Sequence, residues 1–257
     1  MGVAGSASTA AAEPRPQGRR PVGAGHLSAT LAARARPTSS SRDQLLPLLP
    51  ALAPLLPGGG LQRGGVVSVG PAAGPGAGGE AVVAGPRGAG GDTTLAFALL
   101  AAASSASWCG AVGTADPGVV ALAEMGLDLG HLVLVPRPGA LWAQVAATLL
   151  DGVDVVLVRP PGPVRPEAAR RLAARARERR AVLVVLAGAR GWPDGADVRL
   201  AVRTGGWHGV GDGHGHLQGR RATVLSTGRR AATRSVQVDL WLPTPSGRIE
   251  PGAEPGG

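Results

Sequence analysis

Along the middle of the chain, short and wholly apolar runs alternate with stretches of helical period. Strands are predicted at Val66–Val69, Ala81–Ala84, Trp108–Val112, Leu132–Val135, Val153–Val158 and Val182–Leu186. Helices are predicted at Thr93–Ser104, Pro117–Glu124, Leu141–Leu150 and Pro166–Arg179. This alternation is the signal for βαβ units, and strands without polar alternation suit a mainly parallel sheet covered on both faces. After Asp197 the pattern changes to antiparallel hairpins: Val198–Arg203, a Gly/Asp turn at residues 209–213, Ala222–Thr227 and Val236–Leu242. The fold class is α/β.

The flanks differ. Residues 1–43 have no periodicity and are rich in Ala, Ser, Pro and Gly, with six Arg against Glu13 before Asp43, which predicts a disordered basic arm. Residues 44–243 form the predicted domain, and residues 244–257, polar and Pro/Gly-rich, a disordered tail. Between Leu45 and Pro57 a proline recurs every three or four residues, which rules out a long helix and predicts short turns that lay leucines on the core. A PxxP ligand is the functional alternative for that stretch.

Composition narrows the function. The formal charge is +9 and every basic residue is Arg. The absence of Lys excludes Schiff-base chemistry and any P-loop NTPase that depends on the lysine of its phosphate loop. Asn and Tyr are also missing, and Gly (42) and Pro (23) are abundant, so part of the Arg bias reflects GC-rich coding. An all-Arg surface still favours acidic partners or nucleic acid, with salt-dependent affinity. The one cysteine, Cys109, has no intrachain partner, no secretory leader or membrane span is predicted, and a cytoplasmic protein is expected.

A Gly-rich stretch between strand Val66–Val69 and the helix opening at Thr93 is where α/β proteins usually hold phosphate. The template GxxxxGK[ST] fits in two registers. One keeps Gly90 but places Gly91 at the lysine position and Asp92 at the hydroxyl position; the other keeps Gly91 and Thr93 but puts Asp92 where lysine belongs. A carboxylate about 4 Å from a phosphate charge costs about 4 kcal/mol at an effective dielectric near 20, where lysine would attract by a similar amount.

The segment Leu52–Leu56, the run Gly58-Gly59-Gly60-Leu61-Gln62-Arg63-Gly64 and strand Val66–Gly70 resemble the entry to the RecA-type ATPase core. Gly91–Ala96 is similar to its phosphate loop, Met125-Gly126-Leu127-Asp128 to its "LGVD" segment and Val153–Val158 to its Walker B strand. Segments Ala196–Leu200 and Ala222–Leu225 resemble the closing hairpins. The resemblance implies a RecA-like, P-loop NTPase-type core with a degenerate nucleotide site. Arg159 stands where the Mg²⁺-holding Asp belongs, and Gly113-Thr114-Ala115 follows the strand where the catalytic Glu belongs, with Asp116 close by. The degenerate site is Gly90, Gly91, Asp92, Thr93 and Arg159. No catalytic residue, metal or cofactor is expected.

A RecA-like core of this kind resembles the ImuA-type (ImuA-prime) accessory proteins of the actinobacterial mutasome. That resemblance implies a non-catalytic adaptor in damage-induced error-prone DNA synthesis. Its partners would be an ImuB-like Y-family polymerase homologue, an error-prone replicative-type polymerase and RecA, with non-specific DNA contact and no membrane. A cell-division inhibitor of the SulA type is the alternative of similar fold.

Pro166–Arg180 reads as a basic helix with a narrow apolar stripe. Arg170, Arg171, Arg175 and Arg177 are candidate contacts to nucleic acid or an acidic partner, against the plainer reading of a solvated outer helix; direct DNA binding there is a rival function. His208, Asp212, His214 and His216 cluster in one hairpin without a fixed metal-ligand spacing, and a tight turn with incidental imidazoles is the favoured reading. Cys109 lies in an apolar strand, which predicts a buried, inert thiol. Arg229 and Arg230 end a strand that in the resemblance approaches a neighbouring subunit, and are a candidate protein interface.

Overall fold

The computed structural model describes residues 1–2, 44–72, 91–188, 191–193, 195–211, 214–228 and 235–252. The basic arm over 3–43, the strand expected at Ala81–Ala84, and Gly90, Arg229 and Arg230 lie outside the described residues. All elements below belong to the unit Ser40–Gly257.

In chain order they are β1 (Leu45–Leu46), β2 (Leu61–Gln62), β3 (Val66–Pro71), α1 (Asp92–Ser104), β4 (Cys109–Val112), α2 (Val119–Glu124), β5 (Leu132–Val135) and α3 (Trp142–Gly152). There follow β6 (Val155–Val158), α4 (Pro166–Arg179), β7 (Val182–Leu186), β8 (Val198–Gly211), β9 (His214–Gly228), β10 (Val236–Trp241) and β11 (Glu250–Pro251). The main sheet has nine strands in the order β11-β10-β9-β8-β3-β7-β6-β4-β5. From β8 to β5 every pairing is parallel, and from β8 to β11 every pairing is antiparallel.

Period-two alternation sends successive side chains of the central strands into two cores. Val67, Val69, Val155, Leu157, Val182 and Val184 face one core with α1, α2 and the Leu52–Leu56 stretch. Val66, Val156, Val158, Leu183 and Val185 face the other, with α3 and α4. Coverage on both faces explains why these strands contain no polar alternation. Helix α1 is buried on nearly all sides, in keeping with its Ala/Leu/Phe composition.

The proline-rich stretch forms a 3₁₀ segment, Pro50–Leu55, that packs Ala51, Leu52 and Leu55 inward. The Ser226 hydroxyl donates to the Leu55 carbonyl at 2.6 Å and fastens this segment to β9. Asp197 holds the start of β3 twice: its carboxylate accepts from the Val66 N–H at 2.9 Å and its N–H donates to the Val66 carbonyl at 2.9 Å.

Two expectations need correction. The β8–β9 hairpin extends beyond Arg203 and starts its return before Ala222, with irregularities between Thr204 and Trp207 and between His208 and Val210. Residues 244–252 also continue the fold, since β11 pairs with β10, Thr244 and Ile249 are buried, and the Thr244 hydroxyl accepts from the Arg248 N–H at 3.0 Å. Among the described residues no helix is long and apolar enough to cross a membrane.

Helix α4 ends on Arg180 in the left-handed conformation at φ 57°, a position that glycine occupies without steric cost. Arg180→Gly is therefore expected to stabilise the protein by about 0.5–1 kcal/mol, read as a higher denaturant midpoint with unchanged slope.

Candidate functional site

In a parallel α/β sheet the ligand-facing crevice lies at the carboxyl ends of the strands. Here the ends of β4 and β6 and the N-terminus of α1 meet at that edge. Gly91 precedes α1 with φ 128°, a conformation that side chains oppose. A Cβ on Gly91 would lie 2.7 Å from Thr204 Cγ2 and 3.0 Å from Val202 Cγ1, so the start of α1 presses directly on β8.

Asp92, the first residue of α1, is only 9% exposed. Its Oδ1 accepts from the Thr93 N–H at 2.8 Å, so the carboxylate occupies the mouth of the helix N-terminus. Arg159 leaves the end of β6 and donates from Nη2 to Thr93 Oγ1 at 3.3 Å. The structure thus brings Gly91, Asp92, Thr93 and Arg159 to one place. Thr114, after β4, is buried and its hydroxyl has no hydrogen-bond partner among the described residues. Asp116 instead pairs with Arg137 at 3.1 Å in an exposed position.

Arg220 is the member that the sequence reading missed. It lies on β9, is 6% exposed, donates from Nε to the Leu242 carbonyl at 3.1 Å, and stacks 4.8 Å from the Trp207 ring centroid. Burial pulls its guanidinium below the ordinary value and the Asp92 carboxylate opposes that pull. Its signal was available: extending the inward period of Val224 and Ala222 back two residues lands on Arg220.

The basic helix stands on the opposite face of the sheet from α1. Arg175 binds Asp151 with both Nε and Nη2 at 2.6 Å, and Arg179 adds a third bond at 3.1 Å. The Arg175 hydrogen bonds are the main reason that the Asp151 carboxyl is held below its usual range. Arg175 is therefore committed to α3, while Arg170, Arg171 and Arg177 are exposed. On the hairpin, His208 packs edge-on against Trp241 with ring centroids 4.9 Å apart. Among the described residues no group of three or more His, Cys, Asp or Glu is placed to hold a metal.

Cys109 is fully buried and its thiol is pushed up to about 12, chiefly by burial and secondarily by Asp154. The unfolded thiol ionises first as pH rises, so the stability from this group is complete below about pH 9 and is lost above it. Between pH 9 and 10.5 the wild type is expected to lose stability relative to Cys109→Ala with a slope of about 1.4 kcal/mol per pH unit, measured by denaturant titration.

Residues 75–194 match the family described as the MT3502 N-terminal domain. Rv3395c of Mycobacterium tuberculosis (strain ATCC 25618 / H37Rv), described as an uncharacterized protein, is 35% identical over 181 residues, which cover 67% of this chain and 84% of the mycobacterial protein. The chain belongs to the Rv3395c family. Among solved structures, the KaiC-like protein PH0186 of the hyperthermophilic archaeon Pyrococcus horikoshii OT3 superimposes with a TM-score of 0.50 at 13% identity, over 77% of this chain and 97% of that one. This member of the Rv3395c family therefore has a RecA/KaiC-like fold, with a mostly parallel central sheet and antiparallel C-terminal strands.

Proposed function

We propose that the protein is a non-catalytic RecA-like adaptor of the ImuA type, working in the cytoplasm in damage-induced translesion DNA synthesis. It joins a Y-family polymerase homologue of the ImuB kind, an error-prone replicative-type polymerase and RecA. The observation that carries this reading is the substitution pattern at the carboxyl edge of the sheet. Where a nucleotide-hydrolysing relative needs a cation at the loop and a carboxylate after the Walker B strand, this chain has Asp92 and Arg159. The Asp92 carboxylate accepts from the Thr93 N–H at the start of α1, and Arg159 bonds the Thr93 hydroxyl, which supports the reading that the loop holds neither phosphate nor metal. A loop without its lysine and a strand end without its carboxylate support a scaffold role for the fold.

The test is affinity capture of the tagged protein after DNA damage, with nuclease treatment, and ATP binding measured on the same preparation. The expected result is recovery of polymerase and RecA-family partners without nucleic acid, and no ATP binding at millimolar nucleotide. ATP bound at micromolar affinity, with none of those partners recovered, would overturn the adaptor.

A rival reading is favoured by one observation, the exposure of Arg170, Arg171 and Arg177 along α4. If the protein binds DNA directly, these side chains contact phosphates without reading sequence. Replacing the three by alanine would then weaken binding and flatten its salt dependence, whereas an adaptor keeps its partners.

A further inference from the structure

The two ends of the nine-stranded sheet are finished differently. One ends in β11, a strand of two residues that includes Pro251, which blunts it against further pairing. The other ends in β5, which among the described residues pairs only with β4. The sequence of β5 is Leu-Val-Leu-Val, with no charge, proline or glycine to discourage another strand. Beside it, Leu129 and Trp108 are 42% and 49% exposed, and the Trp108 ring packs edge-on against His131. We infer that β5 is a self-association edge, on which a second copy of this chain adds its own β5 antiparallel about a two-fold axis.

Backbone direction fixes which groups are free. The Gly113 N–H donates to the Val135 carbonyl at 2.9 Å, so Val135 turns its polar groups toward β4, as does Val133 two residues before it. Leu132 and Leu134 therefore turn their N–H and C=O groups outward. Water solvates such a row, and another extended backbone can pair with all of it at once.

Charge selects a second copy as the occupant. Two copies of a chain of net charge +9 repel over most of their surfaces. At β5 the contacting strand adds nothing to that repulsion. The strand is neutral, Asp128 is paired with His131 at its start, and Asp116 with Arg137 beyond its end. An acidic protein or nucleic acid finds nothing to attract it here.

The register follows from the proline after the strand. A two-fold axis normal to the sheet must pair residues that point to the same face. If Leu134 faced Leu134 of the other copy, Leu132 would face Pro136, whose nitrogen has no hydrogen to give. If Val133 faces Val133, each Leu132 exchanges both bonds with Leu134 of the other copy and no outward group is left over. Val133 then lies on the axis in a non-hydrogen-bonded pair, with Cα atoms about 4.5 Å apart, within reach of a disulfide. Position 134 would be about 8–9 Å from its copy, beyond that reach.

The test uses the full-length chain with Cys109→Ala, leaving no native thiol. Light scattering over rising concentration should show a mass climbing from 25.5 kDa toward twice that value. Under mild oxidation Val133→Cys should yield a covalent dimer and Leu134→Cys should not, while Val133→Arg, placing two like charges on the axis, should remain monomeric with an unchanged circular dichroism spectrum. A single-chain mass up to about 1 mM, the weak limit of specific association, overturns the inference, as does equal cross-linking at 133 and 134.

Discussion

Replacing Gly113 by alanine will destabilise the protein by about 3 kcal/mol or more. Two costs act at this position. Its φ of 78° is one that a residue with a Cβ adopts only at a cost of about 1–2 kcal/mol. The added Cβ would also overlap the Arg159 carbonyl oxygen, and that atom belongs to a backbone that cannot swing aside. Arg159 is held there by its own N–H, which donates to the Val112 carbonyl at 2.8 Å, while Gly113 donates to Val135 at 2.9 Å. The ends of β4, β5 and β6 are thus locked at one point. Gly126→Ala separates the two costs, because Gly126 has φ 95° and nothing within 4 Å of an added Cβ. It should cost only the conformational part, about 1–2 kcal/mol. Chemical denaturation of both variants measures the difference, and equal losses would show that the Arg159 backbone gives way.

Where the chain alone determines structure, the sequence was readable. Runs such as Val155–Val158 and Val182–Leu186 are short, β-rich and apolar on both faces, and they form the central strands. Their alternation with helices was enough to predict an α/β sheet, whereas the grouping of Asp92, Thr93 and Arg159 was implied only by the resemblance to the RecA-type core. The missed parts depend on partners distant in sequence. Glu250 and Pro251 have no strand character of their own and become a strand because Leu240 and Trp241 are beside them. The β8–β9 hairpin outruns its predicted ends because Gly205, Gly209, Gly215 and Gly219 break the apolar alternation that marks a strand. Arg220 was lost for the same reason, lying just outside the run Ala222–Thr227 that the pattern picked out.

That omission matters for what the edge of the sheet can do. Read from sequence, the loop position holds a carboxylate and lacks a cation. In the folded chain a cation is close, supplied by β9, and the carboxylate is its counter-charge. Asp92 thus serves the helix N-terminus, and its charge acts on the buried Arg220 guanidinium.

Arg220→Met should therefore destabilise the protein by about 2–4 kcal/mol, since it leaves the Asp92 carboxylate buried without the cation that attracts it. It also leaves the Leu242 carbonyl without the donor at 3.1 Å and removes the guanidinium from the Trp207 ring. Asp92→Asn alone should cost less, about 1–2 kcal/mol, because Arg220 keeps both of those other contacts. In the double variant the two losses should not add. Once the arginine is gone, the buried Asp92 charge keeps only the Thr93 N–H and the helix N-terminus as compensation, so Asp92→Asn in the Arg220→Met background should cost less than it does alone. Denaturant unfolding of the four proteins gives the coupling directly. Strict additivity would mean that Asp92 and Arg220 act independently, each satisfied by its other contacts. Thermal scans with millimolar ATP on the same proteins carry the argument to function. If the internal pair occupies the anion site, ATP leaves the wild-type melting temperature unchanged, whereas a bound nucleotide at a hundred times its dissociation constant would add about 2.7 kcal/mol.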